Sequence, residues 1–181
     1  INFIKGPSLE AQLSSISDDI AYNSHDLEDG LNAGFINLKE LKDIPIISDI
    51  VKIHLRRLKK NNKELIYRQI TRDLINKMVR DVVITTNLNI KKEKIKSIKD
   101  VYKTKKKLVN FSNEMRLFDK KIKFFLNKNM YNNPVVLKKT KEGSVIVSFL
   151  FNKIREKPSK FLKINDQKMF TIERRICDFI A

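Results

Sequence analysis

Tryptophan is absent from this 181-residue chain, cysteine occurs once, histidine twice, and glycine and proline four times each. Each scarcity excludes something. A single cysteine, Cys177, cannot close an internal disulfide and fits a reducing cytoplasm; its place in RRICDFIA reads as the buried side of a helix rather than a catalytic thiol. So few glycines and prolines leave little turn chemistry for a multi-stranded sheet. Long apolar runs are missing too. The longest, Val145 to Val147 and Phe149 to Phe151, are interrupted core segments far short of a membrane span, so no membrane partner is expected, and the first residues show no signal-peptide pattern.

What is present is helix after helix. The chain is 41% hydrophobic, enough for one domain with a real core. Apolar residues recur at helical spacing over Ser48 to Lys60, Leu65 to Thr86, Asn113 to Asn129, Pro134 to Ile154 and Phe170 to Ile180. The strand-like run DVVITT continues the helix that holds Leu74, Ile75, Met78, Val79 and Val82. Residues Lys39 to Ile47 and Asn89 to Lys107 read as loops, the second long and rich in lysine. The expected class is an all-α helical bundle, with residues 1–181 forming a single unit.

Charge is distributed unevenly. The chain carries a net +17, yet Ser8 to Gly30 holds six acids, Glu10, Asp18, Asp19, Asp26, Glu28 and Asp29, and no lysine or arginine. At about 100° per residue, Leu9, Leu13, Ile16, Ile20, Leu27 and Leu31 fall in a stripe roughly 60° wide, the signature of a helix docked on a core. Asp18, Tyr22 and Asp26, four apart, line the opposite side and point two carboxylates and a phenol into one space. Ser8 after Pro7 supplies a start signal, and Gly30 or Gly34 an end. By pattern alone such a face is equally a solvated surface.

The string read whole resembles a known family. SLEAQ followed by SDDIAYNSHDLEDGLNAGFI is similar to the segment that closes the catalytic site in the HD-domain deoxyguanosine triphosphate triphosphohydrolases. Further similarity follows in RDLINKMVRDVV, LVNFSNEM, KFFLNKNMYNNPVV and RRICDFIA, in the family's order. The resemblance implies part of an HD-domain phosphohydrolase fold, with residues 1–38 holding its last catalytic helix and 39–181 its C-terminal helical region. It implies hydrolysis of a deoxynucleoside triphosphate to deoxynucleoside and triphosphate. Family members bind a divalent metal through a His, a His-Asp pair and a later Asp. Asp18 matches that last ligand and would hold Mg²⁺ or Mn²⁺, for which a carboxylate oxygen is suited. Tyr22 and Asp26 would contact the nucleotide. Tyr131 receives no role.

The remaining ligands are not found. His25-Asp26 spells the letters that name the superfamily but lies in the wrong segment, and His54 reads as a helix-face residue. With the upstream motifs missing and the end falling short of the family's Gly-Met-Thr-Asp segment, the sequence is expected to be a fragment, the C-terminal half, inactive unless an N-terminal half supplies the other ligands. The family also implies self-association into a homo-oligomer. Arg68 and Arg72, one turn apart, are phosphate-contact candidates by guanidinium geometry, or simply a solvated helix face. From Lys91 to Lys128 fourteen Lys or Arg face four acids. That patch sets up the alternative of a catalytically inactive module that binds nucleic acid or serves oligomerisation.

Overall fold

A computed structural model of the chain describes residues 6–57, 63–162 and 171–181. It is all-α: no strand occurs among the described residues, and none of their helices is long and apolar enough to cross a membrane. Eight helices are described: α1 Leu9–Asn32, α2 Ile47–Arg57, α3 Lys63–Lys92, α4 Ile98–Lys103, α5 Asn113–Leu126, α6 Pro134–Glu156, α7 Pro158–Phe161 and α8 Ile172–Ile180. A 3₁₀ turn, Glu40–Asp43, precedes α2, and a π turn, Asn127–Tyr131, continues α5. They group into two compact units, Ile1–Tyr131 and Asn132–Ala181.

In the first unit α1 packs on α3 and α5, and α2 packs on α3. Local chemistry sets the bounds of α1. Ser8 Oγ accepts from the Ala11 amide at 3.2 Å, while the helix closes through Ala33 onto Gly34, whose φ of +73° suits glycine. Gly30 has a different task inside the helix. A Cβ there would meet Ile36 Cδ1 at 2.5 Å, so the isoleucine side chain, which packs over the bare backbone, would have to shift. The stripe behaves as its spacing predicts at Ile16, Ile20, Leu27 and Leu31, all buried with Ile70, Leu74, Met78, Phe118, Ile122 and Leu126. Leu13 departs from it, half exposed over a shallow groove with Val82 and Val83.

α3 outruns its predicted end and takes in Asn89 to Lys92. It stops on Lys94 at φ +53°, with Ile95 donating to the Ile90 carbonyl and Lys94 to that of Lys91. This is a Schellman closure with a lysine where glycine is usual. The rest of the expected loop also contains α4, opened by a capping box between Ser97 and Asp100. Of the phenylalanines between residues 91 and 128, Phe111 and Phe118 are buried and Phe125 partly so, whereas Phe124 lies exposed, as does Leu117. Two stretches of the expected helices, residues 58–60 and Phe170, fall outside the described residues.

The extended segment at Leu108 and Val109 ties two helices together. Buried Gln12 of α1 accepts from both amides, at 2.8 and 3.1 Å, and donates to the Pro7 carbonyl at 3.0 Å. Asn89 of α3 donates to the Leu108 carbonyl at 2.8 Å. In the second unit α6 packs on α7 and α8 around Ile154, Leu162 and Ile176. Cys177, expected on the buried side, is exposed; its neighbour Ile176 faces inward.

Candidate functional site on the first helix

α1 presents its acids along one flank and its outer face. At 1.5 Å per residue Asp18 and Asp26 stand about 12 Å apart along the axis. Asp18 is exposed, with no hydrogen bond or ion pair among the described residues, which leaves both carboxylate oxygens open. Tyr22 is 69% exposed. Asp26 is different: half-buried, it accepts a hydrogen bond from the phenol of Tyr131. Burial, followed by this hydrogen bond, the Asp26 charge and the proximity of Tyr22, pushes the Tyr131 phenol well above its ordinary pKa. Tyr131, left without a role in the sequence, is therefore the group that meets the acidic face. A signal was there: an abrupt polar run, NKNMYNN, after the amphipathic α5.

A second contact lies one helical turn before Tyr22. Lys123 of α5 bridges Asp19 Oδ1 at 2.8 Å and Asp119 Oδ2 at 3.1 Å, and buried Asp119 accepts from Asn23 Nδ2 at 2.7 Å. Burial alone would lower the lysine's pKa; the hydrogen bonds and charges of Asp19 and Asp119 outweigh it and hold the group above its ordinary value. Asp19 and Asn23 of α1 thus meet α5, and Asp26 meets the π turn that continues it.

The other predicted residues stand apart. Arg72 is exposed, with Nε 3.6 Å from its neighbour Asp73, and Arg68 lines a cleft with Leu31, Asn32 and Gly34 at the far end of α1. Neither makes a hydrogen bond or ion pair with Asp18, Tyr22 or Asp26 among the described residues. His25 is exposed. His54 is buried and bonds Asp73 at 2.7 Å, a tie between α2 and α3. In the basic stretch, Lys106 pairs with Glu93 and Lys123 with α1, while the other cations are exposed. Lys103 and Lys105 to Lys107 rim a cavity of about 730 Å³ beside Gly6 and Pro7.

The same arrangement falls in a sequence with close counterparts. Over all 181 residues the chain is 47% identical to the deoxyguanosinetriphosphate triphosphohydrolase-like protein of Pelagibacter ubique, covering 48% of that protein. The like-named proteins of Bartonella tribocorum and Agrobacterium fabrum are 32% and 33% identical over 96% of the chain and 44% of their own length. Residues 109–181 match the model of a phosphohydrolase-associated domain. Over its whole length the chain is similar to deoxyguanosinetriphosphate triphosphohydrolase-like proteins. It spans about half the length of those curated relatives.

The dGTPase-like kinship carries an HD-type hydrolase association with divalent metal. This chain's residues do not by themselves fit such an ion: nowhere among the described residues do three His, Cys, Asp or Glu side chains converge to hold one. A catalytic ion commonly takes three protein ligands and keeps a further position open, and Asp18 offers one.

Proposed function

We propose that this chain is the part of a dGTPase-like phosphohydrolase that supplies the acidic helix to the active site, in a reaction that releases deoxynucleoside and intact triphosphate. The observation that carries the reading is the exposed, unpaired carboxylate of Asp18 on a helix within a sequence 47% identical to a dGTPase-like protein. Asp18 serves as one ligand of the divalent ion, Mg²⁺ or Mn²⁺, while Tyr22 and Asp26 contact the nucleotide. The remaining ligands come from the half of the protein that the chain does not span. A carboxylate repels phosphate and accepts from hydroxyl or N–H donors, so Asp26 faces the sugar or base of the nucleotide rather than its triphosphate. Arg68 and Arg72 have the right chemistry for phosphate but sit beside the acidic face rather than within it; their part is secondary.

The test is reconstitution. The chain is mixed with the portion of the Pelagibacter ubique relative that it does not match, and triphosphate release from dGTP is measured with Mn²⁺. Release by the mixture, absent from either piece alone and abolished by Asp18→Ala, is the expected result. A folded mixture that stays inert while the intact relative hydrolyses dGTP overturns the reading.

A further inference from the structure

The contact at Asp26 depends on an irregularity in α5. Counting from the paired residues, Asp26 follows Asp19 by seven and Tyr131 follows Lys123 by eight. In an unbroken α-helix the seventh residue returns to within about 20° of the starting direction, but the eighth lies about 80° away. The π turn at Asn127–Tyr131 wraps one more residue into its loop, so Tyr131 arrives where a seventh residue would stand. Without it, Met130 would occupy the place and offer no proton.

Structural fastening does not account for this. Buried Asp119 and Asn23, with the exposed Lys123, already lock α5 to α1 one helical turn before Tyr22. What the phenol adds is local. By donating to Oδ2 it fixes the Asp26 carboxylate in one orientation and leaves Oδ1 to accept from a ligand, while its own exposure keeps it at the solvent edge of the face.

We infer that Tyr131, aimed by the π turn at the end of α5, is a positioning residue that orients Asp26 toward a hydroxyl or N–H donor of the bound nucleotide. The inference rests on the function proposed above. Tyr131 acts through Asp26 and need not touch the substrate.

The reconstituted enzyme tests it with Tyr131→Phe. Loss of a hydrogen bond to a charged acceptor should raise KM for dGTP about tenfold while kcat stays within about threefold. A merely structural lesion would instead reduce the active fraction and lower apparent kcat at constant KM. The double variant with Asp26→Asn should bind no more weakly than Asp26→Asn alone, because both remove one device. A second reading needs only the full chain. With no tryptophan present, tyrosine emission is visible, and a phenol that donates to a carboxylate is quenched; Asp26→Asn should raise the emission, and should not do so in the Tyr131→Phe background. If Tyr131→Phe leaves KM unchanged while Asp18→Ala still abolishes release, or if emission fails to rise, the inference falls and the functional reading stands. If the parent mixture is inert, both fall.

Discussion

Two acids of α1 find partners about a hundred residues away, Asp19 at Lys123 and Asp26 at Tyr131, whereas Lys106 and Asp100 find theirs close by. Lys106 pairs with Glu93, and Asp100 accepts from the Lys96 amide and from the hydroxyl and amide of Ser97, which lower its pKa. The difference separates two uses of charge. A contact between neighbours in sequence forms wherever a turn forms, and at the surface it adds little. A contact across a hundred residues exists only where the fold has already brought both groups together, and then it fixes a side chain. By that measure the acidic flank is constructed and the basic stretch is largely a solvated coat.

Several changes would break or sharpen that contrast. The largest effect is expected at Asp18, which has no partner among the described residues. Asp18→Ala should lower triphosphate release in the reconstituted enzyme by at least about 100-fold without moving the melting temperature, since the residue holds nothing in place. Gln12→Ala should do the opposite. It strands the buried Leu108 and Val109 amides and costs about 2–4 kcal/mol in denaturant unfolding. Asp119→Ala comes next, at about 1.5–3 kcal/mol by the same measurement, because it removes the acceptor shared by Asn23 and Lys123.

In the basic stretch a lysine should prove dispensable. Lys94→Gly relieves a left-handed backbone and should stabilise the chain by about 1 kcal/mol. The smallest effect concerns alkaline pH. Lys123 has a raised folded pKa, so its stabilising share is complete below about pH 10 and is lost as pH rises through the folded value. Urea midpoints of the parent and Lys123→Met should therefore differ at about pH 8 and draw together as pH rises above the ordinary lysine range; a constant gap would show that packing, not the ion pair, makes the difference.

Much of this was legible in the sequence. The apolar stripe of α1, its Ser8 start, the helical reading of DVVITT and the all-α class follow from periods and end signals that depend on neighbours alone. The site was legible as a set of residues but not as an arrangement. Residues four apart drift by about 40° per step, so Asp18 faces outward while Asp26 reaches the flank where α5 lies. The spacing alone could not say that a helix would be waiting there. Tyr131 was missed for a related reason: its direction depends on a π turn, which no sequence period announces. Lys94 was missed because glycine was the expected end signal, and α3 closed without one.

The tie between Gln12 and the segment at Leu108 and Val109 also sets an order of events. At about 5–20 residues per second, a ribosome makes α1 roughly 5–20 seconds before the stretch that will close over it. For the first part of that interval the stripe of Ile16, Ile20, Leu27 and Leu31 lacks α3, and throughout it lacks α5, the helices that later bury it. The acidic helix is therefore the part of this unit that waits longest for shelter during synthesis, and the one on which a chaperone would act first.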